Sequence, residues 1–331
     1  MSDEWLILHG GALGDLVLTL QLAMRLARPR DGAAVLVASR TSLRGLDDAA
    51  PAVRHVSTEA AGVHWLYVDD DRSPPPVLAE LVGGRCVLST LGPREHPVQQ
   101  RLARLRPARL RCLDPRPPSE NAAAERHITE IWLERLEGGR CEAPPPTSAA
   151  EVRPSPAARS RGRRMLAAAG VLSTAEDPAP VVLLHIGSGG ARKRWPLDGF
   201  LHVAAVLRAR GAACGVLIGP DEIEGGLLSG VKGCGLPLIE SPDSATLVAC
   251  LSAADAFLGN DAGPTHLAAL LGMPTLALFG PTRAAVWRPL GARVRVVQGD
   301  ASGGGASWGI EPCEVAGRLF ELLGSRRPPP V

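Results

Sequence analysis

The sequence predicts an α/β chain of two domains built on parallel sheets, and three observations carry that expectation. At 331 residues the chain is longer than one ordinary hydrophobic core accommodates and has a natural length for two. Short apolar runs of strand length alternate with segments whose apolar residues recur at helical spacing, the pattern of doubly wound sheets covered on both faces. Prolines gather at 73–76, 114–118, 143–147 and 153–156, and the densest zone, 143–156, marks a linker region. The expected boundaries are an N-terminal domain over 1–155, a C-terminal domain over 156–325 and a disordered tail over 326–331.

The first half opens with WLILHGG, an apolar run ending in glycine, followed by ALGDLVLTLQLAMRLAR, whose apolar positions return at helical spacing. That reads as strand, tight turn and helix. Runs at 33–39, 64–69 and 85–90 fit buried strands, and 119–136 fits a long helix capped by Ser119. The alternation is cleaner in the second half. Strands are expected at 181–186, 213–219, 237–240, 255–259, 275–280 and 294–298, with helices in LDGFLHVAAVLRARG, in ATLVACLSA and after Gly263. Ligands of parallel sheets sit outside the carboxyl ends of the strands. The polar loops 187–195, 219–224, 259–266 and 280–283 all follow strand ends, so they converge on one crevice.

Composition narrows the class. A hydrophobic content of 45%, 21% charged residues and a net charge of +2 describe a soluble globular protein and give no footprint for nucleic acid. Basic residues cluster at 101–112 and 159–164, where they suit either an anionic partner or solvated helix faces. The seven cysteines are scattered without a C-x-x-C pair, which suggests neither a disulfide framework nor a zinc cage and fits a reducing, cytoplasmic setting. MSDEWLILHGG lacks a basic leader and no run reaches membrane-spanning length, so contact with a membrane, if any, is expected from its surface. There is no G-x-x-x-x-G-K-[ST] and no G-x-G-x-x-G, which argues against a P-loop nucleotidase and a nicotinamide or flavin fingerprint.

The strand-end loops carry specific chemistry. GSGGARKRWP offers the Ser188 hydroxyl and the charges Arg192, Lys193 and Arg194 on a small-residue loop, a combination suited to phosphate. Lys193 is one of only two lysines, and a compact ammonium follows a single phosphate oxygen without the planar constraint of guanidinium. In GNDAGPTHLAALLG, Gly263 and Pro264 turn directly into a helix, so the N–H groups from 262 to 266 are expected to face the crevice and attract anions. Asp261 reads either as that helix's cap or as a site residue, and His266 either as a packed histidine or as a functional one. Glu222 in GPDEIE reads as a partner for ribose hydroxyls or as part of a solvated acidic turn. Gly11, Gly14 and Asp15 lie between the first strand and its helix, where Asp15 is either a cap and dipole partner or a general base in an interdomain cleft. It has no second carboxylate or metal-ligand pair nearby in sequence, so a two-carboxylate hydrolase is not indicated.

GALGDLVLTLQLAMRL (11–26), HIGSGGARKRWP (185–196), IGPDE (218–222), NDAGPTHLAALLGMPTLALFGPT (260–282) and AAVWRP (284–289) together resemble glycosyltransferase family 9, the lipopolysaccharide heptosyltransferases and their relatives. The stretch 260–282 is the most specific of these, and residues 30–180 carry little signal. The resemblance implies a GT-B architecture, in which two Rossmann-like domains face each other across a cleft, the first binding acceptor and the second the nucleotide-sugar donor. It implies inverting transfer of a sugar, heptose from ADP-heptose, to a lipopolysaccharide or related glycan acceptor. No metal and no cofactor is implied beyond the nucleotide-diphosphate sugar, a co-substrate. The expected location is the cytoplasm, with any contact at the inner membrane peripheral.

Residue by residue, the resemblance places Asp15 on the catalytic aspartate, with Gly11 and Gly14 in the acceptor-side loop. Lys193 falls on the lysine that contacts donor phosphate and Glu222 on the acidic residue near the donor ribose. Asp261, Ala262, Gly263 and His266 fall on the loop and helix start that hold the diphosphate sugar, with Ser188 and Thr282 lining the same donor pocket. The chain departs from the family pattern at Gln21, where proline is common, and at Gly189, Gly190 and Ala191, where threonine or serine pairs are common. Two other classes fit the same scaffold: a nucleotide-sugar epimerase or hydrolase, which would turn over donor alone, and a silent nucleotide-binding module.

Overall fold

The computed structural model describes residues 4–26, 35–40, 43, 45–46, 53–68, 73–116, 126–137, 152–300 and 307–324. The first half runs β1 (Trp5–His9), α1 (Leu13–Leu26), β2 (Val35–Ser39), β3 (Val53–Ser57), α2 (Pro76–Val82), β4 (Cys86–Ser89), α3 (Pro97–Arg104), β5 (Arg109–Cys112) and α4 (Ile128–Glu137). Its five strands are all parallel in the order β3-β2-β1-β4-β5. The second half runs α5 (Pro156–Ala168), β6 (Val181–His185), α6 (Leu197–Arg208), β7 (Ala213–Ile218), α7 (Pro220–Glu224), α8 (Leu227–Val231) and β8 (Leu238–Glu240). It continues through α9 (Ser244–Ala253), β9 (Ala256–Asn260), α10 (Gly263–Leu270), β10 (Thr275–Phe279), α11 (Ala284–Trp287), β11 (Val294–Gln298) and α12 (Pro312–Gly324). These six strands are also parallel, in the order β11-β10-β9-β6-β7-β8.

Each sheet reverses its winding at one place, between β1 and β4 in the first and between β6 and β9 in the second. Such switch points open a crevice at the carboxyl ends of the strands. The strands there are apolar on both faces, and β1, β6, β9 and β10 are buried at every residue, as helices above and below a parallel sheet require. Helix α9 is apolar on nearly all sides because α5 covers its outer flank. Gly162 on α5 permits that contact: a Cβ there would lie 1.9 Å from the carbonyl oxygen of Ala249.

The two halves share one core. A continuous apolar cluster joins Ile7, Leu16 and Leu20 of the first half to Leu183, Leu247, Phe257 and Leu267 of the second. Helices α1 and α10 pack against each other along that seam. Two polar ties flank it. The Gln21 amide donates to the carbonyl of Leu290 at 3.0 Å, and Nε2 of buried His127 donates to the carbonyl of Arg288 at 2.8 Å. Burial pushes the His127 pKa down to about 4, so its ring is neutral at pH 7. Gln21, the departure from the family's proline, is thus an interdomain contact.

The structure corrects parts of the sequence reading. The run at 64–69 is no strand but a 3₁₀ helix over Val63–Tyr67, entered through Gly62 at φ 69°. Its buried residues, Val63 and Leu66, are three apart, which places both on one face of a three-residue turn. Residues 117–125 lie outside the described part, so Ser119 and the expected early turns are not seen, and the helix described there begins at Ile128. Strands β3 and β5 were not expected. The basic cluster 101–112 divides between α3 and edge strand β5, and 159–164 lies on α5. The expected boundary at 155/156 falls between α4 and α5, where Ser155 caps α5 by accepting the N–H of Ala158. The tail 326–331 lies outside the described residues. Among those residues no helix is long and apolar enough to cross a membrane.

Candidate active site

The first turns of α1 and α10 meet where the two switch points face each other, and two glycines allow the contact. A Cβ on Gly263 would lie 2.7 Å from Cβ of Leu13, and one on Gly14 would lie 3.3 Å from Cδ2 of His266. Asp15, half-buried in the first turn of α1, is thereby brought within electrostatic reach of His266, Asp261 and Lys193. Burial raises its pKa above the ordinary aspartate value. His266 and Lys193 oppose that shift and Asp261 adds to it. A carboxylate destabilised in this way is a stronger proton acceptor. Gly11 leaves the space beside it open, since a Cβ there would stand 3.3 Å from Oδ2 of Asp15 and 2.9 Å from Nε2 of His9. His9 itself is buried with Nδ1 2.8 Å from Oγ1 of Thr90, and burial lowers its pKa to about 4.

Asp261 is the hub of the second half. Lys193 Nζ donates to Oδ2 at 3.0 Å, Thr282 Oγ1 donates to the same oxygen at 2.9 Å, and His266 Nε2 stands 3.8 Å from Oδ1. Burial opposes ionisation of this carboxyl, but His266 and Lys193 outweigh it and hold its pKa at about 2. Asp261 is therefore no helix cap. The N-cap of α10 is Ala262, in an extended conformation and without a side-chain cap. The N–H groups of Thr265 and His266 turn back to the carbonyl of Ala262, and Pro264 has none. The open donors at this helix start are thus those of Ala262 and Gly263, fewer than the span 262–266 promised. The Ser188 hydroxyl donates to the carbonyl of Asp261 at 2.9 Å, fastening its loop to the hub.

Sequence reasoning gave no role to two residues that build this edge. The carboxamide of buried Asn260 donates to the carbonyls of Ile186 at 2.9 Å and Gly187 at 3.2 Å, and its oxygen accepts the N–H of Trp195 at 3.0 Å. One side chain thus pins both ends of the Lys193 loop to β9. An asparagine closing an otherwise apolar strand run was the available signal. Trp308 lies on Gly280, where a Cβ would fall 2.2 Å from the indole, and so sets the loop that carries Thr282. No local pattern announced that contact.

A cavity of about 420 Å³ extends from this cluster along the second sheet, bordered by Leu13, Ser188, Gly263, Ser244 and Glu222. Glu222 is buried, not part of a solvated turn. Its Oε2 accepts the N–H of Gly219 at 2.9 Å, and its Oε1 stands 3.5 Å from Nε2 of His185. Burial works against the charge, but the His185 ring and the Gly219 N–H hold the carboxyl below its ordinary range. Asp15, Gly14, Ser188, Lys193, Asp261, Ala262, Gly263, His266 and Thr282 therefore meet in one place, and Glu222 marks the far end of the cavity. That arrangement sets a proton acceptor on one wall opposite an ammonium and two open N–H donors on the other.

Comparison with known proteins bears on the family and the fold. The profile of glycosyltransferase family 9 (heptosyltransferase) matches residues 142–305. A stretch of 102 residues is 31% identical to lipopolysaccharide heptosyltransferase 3 of Escherichia coli, covering 29% of this chain and 30% of that protein. The match thus spans less than a third of that relative's length. Among solved structures, the ADP-heptose lps heptosyltransferase II of E. coli aligns over 97% of this chain and 98% of its own, with TM-score 0.66 and 18% identity. A glycosyl transferase of family 9 from Veillonella parvula covers 98% and 99%, with TM-score 0.62 and 17% identity. E. coli heptosyltransferase WaaC with ADP covers 96% and 99%, with TM-score 0.61 and 16% identity. The two-sheet α/β architecture is the GT-B fold of those proteins.

Proposed function

We propose, on the premise that this chain belongs to glycosyltransferase family 9 through residues 142–305, that it is an inverting, metal-independent sugar transferase. The donor is a nucleotide-diphosphate sugar, heptose from ADP-heptose, and the acceptor a lipopolysaccharide or related glycan met at the cytoplasmic face of the membrane without insertion. The observation that carries the reading is Asp15 on one wall of the α1–α10 seam, opposite Lys193, Asp261 and His266 on the other.

In the proposed step an acceptor hydroxyl oxygen attacks the anomeric carbon of the donor as its proton passes to the Asp15 carboxylate. The bond from that carbon to the diphosphate oxygen breaks with its electron pair, and a single displacement inverts the centre. Negative charge then grows on the leaving diphosphate. Lys193 and the N–H groups of Ala262 and Gly263 supply positive charge there, which supports a reaction without a divalent ion. Asp261 would repel diphosphate if it were free. Its charge is committed instead to Lys193, Thr282 and His266, so it orients the groups that receive the anion.

Asp15→Asn tests the reading directly. It should cut transfer from ADP-heptose to a core glycan by roughly 10²–10⁴-fold while leaving donor affinity as it was, and unchanged transfer would remove Asp15 as the base. Incubation with donor alone should give no epimer and negligible hydrolysis. Rapid turnover without acceptor would replace the transferase by an epimerase or hydrolase.

A further inference from the structure

Leu13, Ala262 and Gly263, chain neighbours of the Asp15 and Asp261 cluster, border one end of the cavity. At the other end stands a buried histidine that the proposed transfer step does not use. His185 closes β6 at the reversal of the second sheet and is 2% exposed. Its Nε2 lies 3.5 Å from Oε1 of Glu222, and its Nδ1 has no hydrogen-bond partner. A buried imidazole with one orphaned nitrogen lowers stability, and another apolar residue would have extended the run VVLL without that penalty. Its retention therefore points to what it holds.

What it holds is a carboxylate fixed on every protein side. Glu222 crosses Gly187 so closely that a Cβ there would fall 1.9 Å from Oε1. The other oxygen, Oε2, accepts the Gly219 N–H at 2.9 Å. The Gly219 N–H on Oε2 and the imidazole Nε2 standing 3.5 Å from Oε1 leave both oxygens with lone pairs for a further donor. Two fixed acceptors on one carboxylate match two adjacent hydroxyl donors, the vicinal diol of a ribose. If the imidazole were absent, the terminal torsion of Glu222 would be restrained only through Oε2, and one of the two diol hydrogen bonds would lose its acceptor.

We propose that His185 is a positioning residue for donor selection: by holding Oε1 of Glu222 it fixes the carboxylate to accept both hydroxyls of a ribonucleotide and so favours ribose over deoxyribose. The proposal rests on the reading of this cavity as the nucleotide-sugar pocket. A histidine with a merely structural part would weaken all ligands of the cavity alike, or only the fold.

The test is calorimetric titration of the full chain with ADP and 2′-deoxy-ADP, and with the UDP and GDP pairs alongside. Wild type should prefer the ribonucleotide by roughly tenfold or more, the size of a hydrogen bond to a charged group. His185→Ala should bring that ratio to within about threefold of unity, mainly by weakening the ribonucleotide. His185→Gln, with an amide N–H of similar reach, should restore most of the preference. His185→Phe keeps the buried volume without the donor and carries the same test if the alanine variant does not fold. A wild-type ratio in both the Ala and Phe variants, or equal weakening of both nucleotides, overturns the proposal alone. Equal wild-type affinity for ribose and deoxyribose forms also overturns it alone. Wild type that binds no ribonucleoside diphosphate overturns the nucleotide pocket itself, and the proposal with it.

Discussion

Helices α1 and α10 take matching places in their halves, each following a strand at a switch point, yet their first turns are chemically opposite. The start of α1 carries the Asp15 carboxylate in its first turn, so one anion already occupies the positive end of that helix. The start of α10 has no side-chain cap, and its nearest carboxylate, Asp261, turns away toward Lys193 and Thr282. One helix end is filled and the other is left open. A filled end positions a proton acceptor, while an open end receives an anion from outside. The proposed placing of acceptor on the first half and charged donor on the second rests on that difference more than on any single residue.

The comparison breaks most visibly at the filled end. Asp15→Asn keeps the shape and removes the charge, so its expected loss of turnover, roughly 10²–10⁴-fold, should come without loss of ADP affinity. The same carboxyl predicts the acid limb of the pH profile. Because its folded pKa is raised, activity should fall off with acid above the ordinary aspartate range, as read from kcat/KM against pH. The sign for stability is opposite to the usual aspartate case. The folded state holds this proton more tightly, so stability falls as pH rises through the raised pKa, and Asp15→Asn should melt higher than wild type at pH 7.

Next in size is the open end. Lys193→Ala should weaken ADP binding by roughly 10- to 100-fold and move the Asp15 acid limb to higher pH, because the ammonium that opposes its raised pKa is gone, a pair of changes that calorimetry and a pH profile together would show. Equal ADP affinity would remove Lys193 from the donor wall. Asp261→Asn should then cost the fold about 2 kcal/mol at pH 7, because a carboxyl held at about 2 contributes stability above its ordinary value and loses it as pH falls from near 4 toward 2. Urea unfolding at pH 7 and at acid pH checks this, since the variant should lack that part of the acid loss. The smallest effect is expected at the contact between the ends. Gly14→Ala places a methyl 3.3 Å from His266, which should cost on the order of 1 kcal/mol and slow transfer more than it weakens ADP binding.

The sheet centres were legible because β1, β6, β9 and β10 are buried on both faces and read as unbroken apolar runs. The rims were not. Strands β3 and β5, VRHVS and RLRC, lie at sheet edges with most of their residues partly exposed, and their polar residues mask the strand pattern. The run 63–67 is apolar enough for a strand, and only the three-residue spacing of Val63 and Leu66 separates the alternatives. Within the site, the loops were legible because strand ends are. Partnerships were harder: Asp261 looks like a cap until Lys193, 68 residues earlier, and Thr282, 21 residues later, are brought to it. Asn260 and His185 stood in quoted motifs without a role for the same reason, since what they fasten lies on other loops of the chain.

The apolar cluster that runs through both halves also constrains how such a chain can be recombined. A crossover at residue 155 between two relatives would leave Leu16 and Leu20 facing a foreign Leu267, so each parent would contribute half of a jigsaw cut for the other. Viable hybrids should instead inherit α1 and α10 from one parent as a matched cassette and exchange the outer strands freely. In that sense the unit of inheritance in this enzyme is the seam, with the domains as its accessories.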